Sequence, residues 1–219
     1  MKKEYILKYN REFIIQIALI AILLLLISYN LGRVWGNNIS LNTKSITGLF
    51  TSSIIPSGTP SIYGKELGIR YEDVSPNDPV KADQTIAILK NLDLTLNLEG
   101  ENLQRYIQTL IQISCEYCCG AKSIIFSNGQ PACGCAHSYA MRGLAKYLLI
   151  NHGSEFTDDQ ILEELGKWKV LFFPGIHETK AEVLKSKGIK VDYINLTSNK
   201  YRGIEQGQTS SGAGMVGGC

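Results

Sequence analysis

A mainly α domain with a small β-hairpin, an α+β arrangement, is expected behind an N-terminal transmembrane helix. Three features point to it: an uncharged apolar run near the start, apolar residues recurring at helical spacing over most of the remainder, and one Asn-Gly turn set between two groups of cysteines. The 219 residues suffice for one ordinary domain plus an anchor and tails. They divide into a cytoplasmic N-terminus (1–12), a transmembrane signal anchor (13–31), a flexible stalk (32–62), an extracytoplasmic helical domain with the cysteine cluster (63–200) and a disordered Gly/Ser-rich tail (201–219).

The run Phe13 to Tyr29 carries no charge and is broken only by Gln16 and Ser28. At a rise of about 1.5 Å per residue it is long enough to enter and cross a bilayer, which needs about 17 to 25 residues. Lys2, Lys3, Lys8 and Arg11 precede it, whereas only Arg33 follows before Lys44, so the positive-inside rule keeps the N-terminus in the cytoplasm and exports the rest. A cleaved signal peptide is the rival, but Ser28 to Trp35 offers no small-x-small cleavage site. The lipid bilayer is therefore the first expected partner. A net charge of +2 gives no reason to expect a nucleic acid as another.

From Gly36 to Ser61 the chain is rich in Ser, Thr, Asn, Gly and Pro and reads as the stalk. Asp78 and Pro79 open a helix as N-cap and first helical residue, with Val80, Ile86, Leu89 and Leu92 as its buried side. Leu92, Leu94, Leu96 and Leu98 alternate with polar residues, which predicts a short strand or extended loop. Leu103, Tyr106, Ile107, Leu110 and Ile111 place a helix over about 101–114 that delivers Cys115 at its end. Ser123 to Phe126 followed by Asn128-Gly129 predicts the hairpin. A helix over 136–151 follows, with Tyr139, Leu144, Tyr147 and Leu148 inward, its cations in solvent and His152-Gly153 as the stop.

Thr157 and Gln160 have the capping-box spacing ahead of Ile161, Leu162, Leu165, Trp168 and Leu171, and Pro174-Gly175 ends that helix. A short helix over about 178–187 and an alternating strand from Ile189 to Ile194 complete the domain. His152 is expected to cap helix carbonyls and His177 to sit in a surface loop.

The chemistry is concentrated in the cysteines. Five of the six fall in Cys115-Glu-Tyr-Cys118-Cys119 and Cys133-Gly-Cys135-Ala-His137. CxxC wraps a backbone knuckle around an ion, CxC sets two sulfurs on one side of an extended segment, and a hairpin would bring the halves together. The candidate ligands are Cys115, Cys118, Cys119, Cys133, Cys135 and His137, with zinc or copper as the ion. Cys135 stands just before a helix, where the positive end of the peptide dipoles favours a thiolate. Two alternatives stay open: cross-hairpin disulfides, which an oxidising compartment favours, and a membrane-tethered thiol-disulfide oxidoreductase with a protein partner for metal or disulfide exchange. A hydrolase-type catalytic set and a phosphate-binding glycine loop are both absent from the sequence, so the reading leans away from an enzyme. Cys219, after the glycine tail, is either an incidental thiol or a tethered exchange arm.

Over residues 115–137 the cluster resembles that of small membrane-anchored prokaryotic proteins with clustered cysteines and, more distantly, the PCYCGC-motif lipoproteins, which also place close cysteines before a histidine. The chain departs from them in splitting its cysteines into two groups, in setting Pro131 away from any CxCxC run and in lacking a lipid-attachment cysteine after the apolar segment. The resemblance implies an extracytoplasmic metal-handling or redox module.

Overall fold

The computed structural model describes Phe13, Gln16, Ile20, residues 54–208 and residues 214–218. The chain falls into two units, Met1–Phe50 and Thr51–Cys219. In the first, Phe13, Gln16 and Ile20 are helical; the rest of the expected anchor lies outside the described residues. Among the described residues no helix is long and apolar enough to cross a membrane.

The second unit is mainly helical with almost no strand. Its helices are α1 (Gly64–Leu67), α2 (Pro79–Thr95), α3 (Gly100–Leu110), α4 (Ala136–His152), α5 (Asp158–Phe172), α6 (Pro174–Ser186) and α7 (Tyr193–Thr197). Short 3-10 turns occupy Tyr71–Asp73 and Asn199–Tyr201.

Helix α2 starts as expected, with the Asp78 carboxylate accepting from the Lys81 N–H and Pro79 in the first turn. It does not stop before the alternating leucines. Ala82, Thr85, Ile86, Leu89 and Asp93 form a buried stripe, while Val80 is 66% exposed, so the expected strand from Leu92 is helix as far as Thr95. Leucine is a good helix former, and Asp93 receives Arg142 Nε at 2.8 Å and Lys146 Nζ at 2.7 Å from α4, which ties this turn to its neighbour. Gly143 makes the close approach possible: a Cβ there would lie 1.9 Å from the Leu89 carbonyl oxygen.

Helix α4 is the centre of the domain, contacting α2, α3 and α5. Leu144 and Leu148 are buried as expected, but so are Met141 and Arg142, and Tyr139 and Tyr147 are only half-buried. The expectation that the α4 cations face solvent is wrong for Arg142. It is wholly buried, with its Nε on Asp93 and its Nη1 on the carbonyls of Ile124 and Cys133.

Helix α3 ends at Leu110, short of the expected 114, because Ile113 and Cys115 leave it in extended form: Ile113 bridges Ser198 and Cys115 bridges Ala121. The Thr157/Gln160 capping box is present in both directions. Pro174-Gly175 does not open a gap after α5; Pro174 begins α6, as proline can in a first turn. The expected strand at 189–194 is irregular chain leading into α7, capped by Asp192 on the Asn195 N–H. His177 lies inside α6 and is fully buried, contrary to its expected surface position.

The main core joins Tyr63, Leu89, Tyr106, Leu110, Leu144 and Trp168, each at most 2% exposed. Each such side chain contributes about 1.5 to 3 kcal/mol on burial. The unit extends past both expected ends. Ile54 and Ile55, from the supposed stalk, pack on the smaller cluster of Val170, Leu184 and Leu196. At the other end residues 214–218 are docked rather than loose: Val216 is 2% exposed and its N–H donates to the Phe172 carbonyl at 2.8 Å. Gly217, at φ +82°, leaves space where a Cβ would come within 2.3 Å of Ile86.

Candidate metal centre

Irregular chain between α3 and α4 builds the centre. Ile124 donates its N–H to the Ile113 carbonyl and Ala132 donates to Ile124, so the segments around 113, 124 and 132 lie side by side. The chain reverses at Asn128-Gly129, where Phe126 donates to Gln130 at 2.7 Å and Ile125 bridges Pro131. Glycine meets the turn's positive φ of +83°. Cys115 to Ala121 closes a second loop on its own bridge, held outside by Arg202, which donates to the carbonyls of Gly120 and Ala121 at 2.6 Å.

The two cysteine groups therefore meet. One ligand atom each from Cys115, Cys133 and Cys135 lies within 4.8 Å of the others. Cys115 Sγ is 3.2 Å from Cys133 Sγ, 3.6 Å from Cys135 Sγ and 3.3 Å from Cys119 Sγ. Cys119 and Cys133 are joined as a disulfide. Cys118 is half-buried and is a hydrogen-bonding partner of Cys135. Cys115, Cys133 and Cys135 are 5%, 4% and 7% exposed, whereas Cys119 is exposed.

Cys135 is the N-cap of α4, and its sulfur accepts the Ser138 N–H at 3.4 Å. A hydrogen bond from the Cys115 thiol, with the Ser138 hydroxyl and N–H adding to it, brings the Cys135 thiol down to about 7 against the opposing effect of burial. The same bond, together with burial, pushes the Cys115 thiol up. The shared hydrogen bond thus favours loss of a proton from Cys135 over loss from Cys115.

His137 turns away from the sulfurs toward the docked tail. Its Nε2 meets the Val216 carbonyl at 2.8 Å, its ring packs on Phe172 and Phe173 at 4.7 and 5.1 Å, and its Nδ1 has no hydrogen-bond partner. Burial holds it below the usual imidazole range. Among the described residues the close-set ligand group contains no histidine. Cys219 lies outside the described residues.

A cluster of hard charges stands behind the soft one. Glu116 accepts from Lys180 at 3.1 Å, from Lys169 at 3.5 Å and from the Gly203 N–H at 3.0 Å, and Glu205 lies 3.9 Å from Lys180. Both lysines are at most 1% exposed, and burial brings Lys169 down to about 8. Nothing in the sequence pattern distinguishes these lysines from the solvated cations of other helices. The signal for Glu116 was only its place beside Cys115.

A thiolate centre can hold a soft ion, or its sulfurs can cross-link the loop; this constellation is compatible with either. No protein-family model, no curated protein and no solved structure matches the chain.

Proposed function

We propose that this chain is a single-pass, membrane-anchored protein whose extracytoplasmic domain binds one thiophilic ion, zinc or copper(I), through Cys115, Cys119, Cys133 and Cys135. The observation that carries the reading is the set of sulfur separations: 3.2, 3.3 and 3.6 Å from Cys115 to the other three. Four thiolates about 2.3 Å from one zinc ion lie about 3.8 Å apart, close to this spacing. Copper(I) would need only the trio Cys115, Cys133 and Cys135. Cys119 and Cys133 serve as ligands once their disulfide is reduced. The Cys118 sulfur beside Cys135 is a reserve ligand, whereas His137 lies outside the close-set group, with its Nε2 on the Val216 carbonyl. The uncharged run at 13–29 and the basic residues before it support the anchor and its orientation.

The Cys119–Cys133 bond favours a second reading, a disulfide-stabilised domain with no ion. Elemental analysis and thiol counting on the reduced protein separate the two. About one ion per chain, with thiols protected until a chelator is added, supports the metal centre; a metal-free protein whose thiols all react at once rejects it.

A further inference from the structure

The same sulfurs support two states that exclude each other, because a sulfur shared with its neighbour in a disulfide has lost the charge a metal ion needs. Of the four, only Cys119 is exposed, while its disulfide partner Cys133 is 4% exposed. Cys115 lies within 3.3 Å of both and is itself covered. An agent from solvent therefore meets Cys119 first, and Cys133 is the buried sulfur that completes the reaction.

Resting on the metal reading above, we propose that the centre is redox-gated: a small disulfide oxidant such as glutathione disulfide enters at Cys119, links it to Cys133 and expels the ion. In the first step the Cys119 thiolate attacks one sulfur of the oxidant, forming a mixed disulfide and releasing one small thiolate. The Cys133 thiolate then attacks Cys119 Sγ, forming the Cys119–Cys133 bond and releasing the second. Two electrons pass from the cysteine pair to the oxidant, and the two released thiolates take up protons from water. The ion keeps only Cys115 and Cys135, and as it leaves a proton from water returns to this hydrogen-bonded pair of sulfurs. A dithiol reductant reverses the sequence and restores four ligands.

The geometry favours this pair over others. The oxidised state leaves Cys115 and Cys135 as a hydrogen-bonded pair at 3.6 Å, with the Ser138 hydroxyl 3.2 Å from Cys115 and 3.3 Å from Cys135. Both remaining sulfurs are thus satisfied without metal. Arg142 holds the Cys133 carbonyl at 2.8 Å, so the buried partner stays in place in either state.

The test uses the full chain in detergent, reduced, loaded with zinc and titrated with glutathione disulfide. Zinc release is followed by a chromogenic chelator and the cross-link by mass spectrometry of non-reduced peptides. The expected result is one zinc released per oxidant consumed, with Cys119–Cys133 as the new link and affinity at least about a hundredfold lower. The double variant Cys115→Ser, Cys133→Ser, which removes both sulfurs adjacent to Cys119, should stop the reaction halfway and trap one glutathione on Cys119. Zinc that stays bound through oxidation, or leaves with a different pair linked, overturns the gating while the metal reading stands. A reduced chain that never binds zinc overturns both. The wild-type titration decides the matter if the variant does not fold.

Discussion

The α2–α4 helix pair and the cysteine-bearing segment 113–135 both present fully buried inner faces, yet they are held in different ways. The helices meet over Gly143, with Arg142 and Asp93 paired at 2.8 Å between them, and each helix carries its own repeating backbone hydrogen bonds. The segment between α3 and α4 has isolated bridges in place of a sheet, and its tightest links are between sulfurs. The helical region should keep its structure whatever the state of the cysteines. The loop should depend on what the sulfurs hold.

The largest effect should come from breaking the helical side. Asp93→Ala leaves Arg142 buried without its carboxylate, and unfolding by urea should show a loss of about 3 to 5 kcal/mol, the same in reduced and oxidised protein. A much smaller loss, or one that depends on reductant, would mean that the helix pair is not independent of the sulfurs.

Acid should weaken the region behind the loop next. His177 is buried, donates from Nδ1 to the Phe173 carbonyl, and faces Tyr117, Lys169, Lys180 and Glu116. Burial first, then the two lysines, brings its imidazole down to about 3. The unfolded chain therefore binds a proton that the folded one refuses, and stability falls as pH drops from about 6.5 toward 3, by a few kcal/mol in all. The lowered Glu116 carboxyl adds a loss in the same direction at the acid end. In His177→Leu the slope of urea midpoint against pH between 6.5 and 5 should flatten; an unchanged slope assigns the acid sensitivity elsewhere.

The proposed ion gives a third way to separate the two regions. A ligand present at a hundred times its dissociation constant stabilises the bound form by about 3 kcal/mol. Chelation of the reduced protein should therefore raise amide hydrogen exchange across 113–135 by up to about a hundredfold while α2 and α4 change little. Uniform loss of protection in both regions would merge them into one cooperative unit.

The smallest effect belongs to the docked tail. Val216→Gly removes one small buried side chain beside His137 and should cost about 1 to 2 kcal/mol, with the metal content of the reduced protein unchanged. If the ion is lost as well, the His137–Val216 contact supports the centre.

Several elements were legible because their signals are local. Asp78-Pro79, the Thr157/Gln160 capping box and the Cys135 N-cap act over three or four residues, and each formed where the sequence placed it. That Cys115 would meet Cys133 and Cys135 was expected from their clustering, and the backbone bonds from Ile124 to Ile113 and from Ala132 to Ile124 set those segments side by side. Misreadings arose where a distant partner decides. Leu92 to Thr95 alternates like a strand but is helix because Asp93 has cations waiting on α4. Arg142, Lys169 and Lys180 resemble solvated cations until their carboxylates are placed beside them. The glycine-rich tail gave no hint that one valine would be buried.

The sequence alone determined which residues could form helices and that soft ligands would gather between α3 and α4, since periodicity, caps and turns are properties of neighbouring residues. Only the tertiary structure decided that Cys119 stands outside while Cys115, Cys133 and Cys135 are covered, and that His137 turns to the tail instead of the sulfurs. Exposure and partner choice depend on which distant surfaces pack together, and no local pattern encodes that.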